Sequence, residues 1–174
     1  MTTVFMERTF DSPLDKESLR NMALEAADCA GLYRVDWVES FLSEDGHTLV
    51  CCFEAPDAEA LRMVAEGDTS REKAIRSGTV HDAREGMPNV VVERRFDEPV
   101  TVESLQAIED KGAWCLETYN VTFLRTYFSR DQKHMLCLYQ APDAESVRLA
   151  QQQAEMPVSR VWPCQSYTME TLFG

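Results

Sequence analysis

The sequence predicts an α+β chain made of two tandem units, each of β-α-β-β-α-β order, packed together as an intramolecular pseudo-dimer. Three observations predict it. The chain repeats itself at an offset of 86 residues. Each copy alternates short β-favouring runs with stretches of helical periodicity. Each unit places both helices on one face of its sheet and leaves the other face apolar and in need of cover.

The repeat is direct. Val4–Pro13 (VFMERTFDSP) returns as Val90–Pro99 (VVVERRFDEP), and Ala55–Glu59 (APDAE) as Ala141–Glu145. From residue 4 to residue 66, 22 of 63 positions are identical to the residue 86 places later. Chance does not hold one register over that length, and internal symmetry of this kind sets the architecture. The copies are assigned to residues 1–86 and 87–174, joined near Arg84–Pro88.

The elements follow in order. Val4–Phe10 and Val90–Phe96 are short β-favouring runs closed by Pro13 and Pro99. Leu19, Met22, Ala26 and Cys29 then fall at helical spacing, and Leu105, Ile108, Gly112 and Cys115 repeat it. Asp15 and Thr101 are the expected N-caps. Val35–Ser43 alternates as a strand, Glu44-Asp45-Gly46 turns the chain, and Leu49–Glu54 returns. Pro56-Asp57 opens a second helix through about Ala65. A fourth strand is expected near Thr79–Ala83 and near Arg160–Cys164, with Gly67–Ser77 an added helix or loop in the first copy. This order is the split βαβ, or ferredoxin-like, arrangement. Two such sheets in one chain can close face to face, as in the dimeric α/β-barrel type.

Composition narrows function. Thirty acids against 17 bases give a net charge of −13. That excess excludes binding to nucleic acid or an anionic membrane through clustered Lys and Arg. No apolar run has the length of a membrane helix, and Met1-Thr2-Thr3-Val4 is not a basic-then-apolar leader, so the expected compartment is the cytoplasm. The six cysteines include no Cys-x-x-Cys pair and are expected as reduced thiols. Glycine-rich phosphate loops and the Gly-x-Ser-x-Gly elbow are also missing from the sequence.

Strand alternation assigns faces. It gives Val38, Ser40 and Leu42 (with Leu124, Thr126 and Phe128) to the helices, and likewise Val50, Cys52, Leu136 and Leu138. The open faces then receive Glu7, Trp37, Glu39, Phe41, Cys51 and Phe53 in the first copy. The second copy contributes Glu93, Phe123, Arg125, Tyr127, Cys137 and Tyr139. Aromatic side chains with a few carboxylates, one arginine and two thiols suit a small-molecule cavity. The same stripe is also what two packed sheets need as core. Of three histidines, His81 and His47 are the ones whose parity reaches toward that space. Imidazole, carboxylate and thiolate together would suit a transition metal such as nickel, zinc or copper.

Three runs carry a family resemblance: Glu-Arg-x-Phe-x-x-Pro, Val-x-Trp/Phe-x-x-Ser/Thr-Phe/Tyr at Val35–Phe41 and Val121–Tyr127, and Cys-x-Phe/Tyr-x-Ala-Pro-Asp-Ala-Glu at Cys51–Glu59 and Cys137–Glu145. Each copy resembles a family of small bacterial proteins filed as a domain of unknown function (4242-type), some of whose members are labelled nickel-binding. The resemblance implies one ferredoxin-like unit per copy and a nickel role. The expected function is a non-catalytic module that holds a nickel-like metal ion or a small molecule between two sheets. The expected partners include no nucleic acid and no membrane, and a further homodimer is compatible with the pseudo-dimer. Two other readings stand beside it: a dimeric α/β-barrel enzyme of the cofactor-free monooxygenase or isomerase kind, and an acidic scaffold protein.

Overall fold

The computed structural model describes residues 1–81 and 84–174, without the side chain of Glu109. Its elements are β1 (Thr2–Thr9), α1 (Lys16–Leu32), β2 (Asp36–Ser43), β3 (Thr48–Ala55), α2 (Ala58–Val64), β4 (Glu72–His81), β5 (Val90–Arg95), α3 (Val102–Lys111), α4 (Ala113–Thr118), β6 (Thr122–Ser129), β7 (His134–Gln140), α5 (Ala144–Gln153), β8 (Arg160–Tyr167) and α6 (Met169–Phe173). The chain is α+β. Two compact units emerge, Met1–Thr79 with Gln165–Gly174, and Val80–Cys164. The tail after the second copy therefore belongs to the first unit. Among the described residues no helix is long and apolar enough to cross a membrane.

The first unit has an antiparallel sheet in the order β4-β1-β3-β2. Its α1 starts where the sequence places it: the Asp15 carboxylate accepts from the Ser18 amide at 2.8 Å, satisfying one of the orphan N–H groups of the first turn. Asp57 caps α2 in the same way through Ala60, at 2.9 Å. One side of the sheet packs Val4, Met6 and Ala55 against Ala60 and Leu61 of α2. It also packs Leu42, Leu49 and Cys51 against Leu19 of α1 and Leu172 of α6. The short α6 is not foreseen by the repeat, because it lies beyond the matched residues; Arg20 Nε donates to the Leu172 carbonyl at 2.7 Å.

The second unit has the order β8-β5-β7-β6, again antiparallel. Val90, Val92, Cys137 and Tyr139 pack under Leu105, Cys115, Val147 and Ala150. Two expectations need correction. The single long helix expected from Leu105 to Cys115 is two helices, α3 and α4, divided at Gly112. A Cβ at Gly112 would lie 2.4 Å from Cβ of Ala154 at the end of α5, so this close approach requires glycine. In the first copy no segment is added: β4 runs from Glu72 to His81, and Ala74 pairs with Glu7 as Arg160 pairs with Glu93, so the offset of 86 holds through the fourth strand. The fourth strand thus starts seven residues before the expected Thr79, and Asp82 and Ala83 of the expected strand lie outside the described residues.

Candidate functional site: the helix-free strand faces

Residues paired across an antiparallel ladder share a face. Leu49, Cys51 and Phe53 of β3 pack with α1 residues, in a core that also holds Trp37. Val50 and Cys52 consequently occupy the helix-free face. Register adds Phe5 and Glu7 of β1, opposite Cys52 and Val50, and Glu39 and Phe41 of β2, opposite the same two residues. Arg76 of β4 pairs with Phe5 and so shares this face. Its guanidinium meets the Glu7 carboxylate at 2.5 Å.

The second unit repeats the arrangement. Glu93 and Tyr127 pair with Leu136, and Arg125 with Leu138. Trp162 pairs with Val91 and Arg160 with Glu93. The Glu93 carboxylate accepts from Trp162 Nε1 at 3.1 Å and lies 3.5 Å from Arg160 Nε. Arg125 donates to the carbonyls of Arg84 and Gly86 at 3.0 and 3.1 Å. These charged groups are nearly out of water: Glu39 is 5% exposed, Glu93 4% and Arg125 9%. Buried charge persists only where partners compensate its desolvation.

Six of the candidate residues lie on the other side. Trp37, Cys51, Phe53, Phe123, Cys137 and Tyr139 face the helices, while Val50, Cys52, Leu136 and Leu138 take the helix-free face. Two physical causes account for this. A bulge falls between Trp37 and Glu39, and another between Phe123 and Arg125. One extra residue, Val38 or Leu124, reverses the alternation partway along each strand. Val38 is accordingly 43% exposed instead of facing the helices. In β3 and β7 both faces are apolar and buried, so alternation carries no information about which side is which.

The histidines do not form a centre. His47 Nδ1 lies 2.8 Å from the Phe10 carbonyl, and His81 meets the Phe128 ring edge-on at 6.3 Å. Among the described residues no three His, Cys, Asp or Glu side chains converge as a metal site. All six cysteines are free thiols.

The helix side holds polar residues that alternation overlooks. Arg8, 8% exposed, donates to Asp68 at 3.2 Å and to Cys51 Sγ at 3.4 Å. Trp37 Nε1 donates to Ser40 Oγ at 2.7 Å, and Ser40 donates on to Cys51 Sγ at 2.9 Å. Burial pushes the Asp68 carboxyl up, but hydrogen bonds from Ser70 and the charge of Arg8 outweigh it and hold the group below the usual carboxylate range. Arg94, the repeat equivalent of Arg8, is 1% exposed. It donates to Gln151 Oε1 at 2.7 Å, the Pro157 carbonyl at 2.8 Å and the Tyr139 hydroxyl at 3.2 Å. The signal for this pair was the recurrence of Arg itself at positions 8 and 94, in both copies of the Glu-Arg run.

Antiparallel sheets that each carry helices on one side define an α+β protein, and solved structures with TM-scores above 0.5 share that fold. A putative chlorite dismutase, TA0507, matches at a TM-score of 0.54 with 8% identity, over 98% of this chain and 96% of that one. A heme-binding protein from Thermus thermophilus matches at 0.51 with 7% identity, over 98% and 93%. The structure of SCO4226 from Streptomyces coelicolor A3(2) matches at 0.38 with 18% identity, over 42% of this chain and 90% of that one. None of the curated proteins matches the chain. The family model described as nickel responsive protein, SCO4226-like, matches residues 5–70 and 91–164, and the chain belongs to that family.

Proposed function

We propose that the protein is a non-catalytic binding module. Its two copies, residues 1–86 and 87–174, act as ferredoxin-like units that hold a small molecule or a metal ion on their helix-free sheet faces. The observation that carries this reading is the burial of Glu39, Glu93 and Arg125 on strand faces that bear no helix. Ionisable groups kept there at a desolvation cost, among aromatic and aliphatic neighbours, are the usual makings of a ligand site. The family description supports a metal-linked role. The described donor set favours the small molecule, because three metal ligands do not converge. Calorimetric titration of metal-free protein with nickel, zinc and copper, alongside native mass spectrometry of freshly purified protein, tests the proposal. A co-purifying small molecule, or metal binding tighter than about 100 µM, supports it. The absence of both an adduct and a heat of binding overturns it.

A further inference from the structure

We infer that the second unit carries a separate binding groove for a small organic anion, one carboxylate or phosphate on an apolar body. The groove opens between α5 and the start of β8 and encloses about 380 Å³. Arg148 from α5 and Arg160 from β8 line it. Both guanidinium side chains are about half exposed, at 47% and 53%, so a ligand can reach them. Ser159 adds a hydroxyl, Met156 and Val158 supply apolar wall, and Gln151 is a buried lining residue. The Gln151 amide is held in place: its oxygen accepts from Arg94 at 2.7 Å and its nitrogen donates to Tyr139 at 3.1 Å. A third guanidinium thus stands directly behind the lining.

The first unit shows what this position accepts. Its equivalent of Gln151 is Ala65, whose carbonyl accepts from Lys73 Nζ at 2.9 Å and from the Asp68 amide at 3.4 Å. The loop after α2 therefore folds over this point and presents the Asp68 carboxylate to Arg8. The second copy has Ala154 where the first has Asp68, and there the groove lies open beside Gln151. Two carboxylates face the groove cations, Glu145 at 3.4 Å from Arg148 and Glu93 at 3.5 Å from Arg160. The Arg148 pair is half-exposed and contributes little, whereas the buried Glu93 offsets part of the Arg160 charge, which keeps the ligand weak and exchangeable.

Titration of the 15N-labelled protein with hexanoate, and separately with inorganic phosphate, tests this. Expected are saturable shifts of the Gln151 side-chain amide and the Ser159 amide, with unit-one amides such as Ala60 unmoved. Arg148→Gln with Arg160→Gln should weaken the response at least fivefold without changing the circular dichroism spectrum. Raised NaCl should weaken it as well. Hexanoate binding tighter than phosphate shows that the apolar wall takes part. Shifts that stay linear for both probes, or equal affinity in the double variant, overturn the inference. Nickel titration of Arg148→Gln alone should match the parent, which separates this groove from the proposed site on the helix-free faces.

Discussion

Arg8 and Asp68 form an ion pair at 3.2 Å on the helix side of the first unit, with both side chains largely buried. The second copy has Ala154 in place of Asp68, so the partner of a repeated arginine is not itself repeated. Arg94 is served instead by a hydroxyl, an amide and a carbonyl. The substitutions match: Phe53 and Ala65 of the first copy stand where the second has Tyr139 and Gln151. One buried cation is thereby stabilised in two ways.

Removing the charge of Asp68 should be costly. Asp68→Asn keeps the size and one acceptor for Ser70 but leaves Arg8 facing a neutral group. A loss of about 1–3 kcal/mol in urea unfolding is expected, the range for a hydrogen bond to a charged group. Arg8→Met alone should cost more than Arg8→Met added to Asp68→Asn, because the second change then removes an already unpartnered charge.

The matching test in the second unit is Tyr139→Phe with Gln151→Ala, which gives Arg94 the first copy's side chains without its carboxylate. Two hydrogen bonds to a buried guanidinium disappear. Thermal unfolding should fall by more than for either single change, with a combined cost on the order of 3 kcal/mol. Stability equal to the parent would show that Arg94 is satisfied elsewhere.

Acid should destabilise the fold in a defined window. Asp15, Asp68, Asp131 and Asp143 all have carboxyls held below the usual value of 3.8: Asp15 and Asp143 chiefly by the Ser18 and Ser146 amides, Asp131 by Ser129, and Asp68 by Ser70 and Arg8 against burial. A carboxyl lowered in the folded state binds fewer protons there than when unfolded. Its contribution is fully present above the unfolded value and is lost as pH falls through the folded value. The midpoint of urea unfolding should therefore be steady with respect to these groups from pH 7 to about pH 5, then fall below about pH 4. In Asp68→Asn the acid slope should be shallower than in the parent.

The order of elements in each unit was legible in the sequence because periodicity, turn residues and Asp caps agree over the same stretches. Face assignment was legible only in part. Glu7, Glu39, Phe41, Glu93, Arg125 and Tyr127 lie where alternation puts them, on the helix-free faces. Trp37 and Phe123 do not, because a bulge is a change of backbone count that no side-chain pattern announces. Cys51 and Cys137 do not, because Leu49–Cys52 and Met135–Leu138 are buried throughout. Asp68 stayed hidden because its repeat equivalent is Ala154, so no recurrence of the carboxylate draws attention to it.

Val38 offers a direct check on the bulge. An inward valine replaced by lysine would bury an unpaired charge and unfold a marginal domain. As the exposed extra residue of β2, Val38→Lys should stay within about 0.5 kcal/mol of the parent in urea unfolding. Phe41→Ala, three residues on and fully buried, should cost about 3–5 kcal/mol.

The two hairpins differ at the position of positive φ and make the last prediction. Gly46 closes the β2–β3 turn at φ +77°, and Gln132, its repeat equivalent before β7, adopts φ +63°. A side chain in that left-handed region costs about 1–2 kcal/mol, which glycine avoids. Gln132→Gly should therefore stabilise the chain by up to about 1 kcal/mol, after the added entropy of glycine in the unfolded state is subtracted. Gly46→Ala should do the reverse and more, because its Cβ would stand 2.7 Å from the Leu14 carbonyl oxygen. Gly67→Ala isolates the conformational part of that loss: φ is +79° there, but the new Cβ meets nothing within 4 Å. The expected order of unfolding midpoints is Gln132→Gly above the parent, then Gly67→Ala, then Gly46→Ala. A Gly67→Ala variant less stable than Gly46→Ala would show that the close approach to Leu14 relaxes freely.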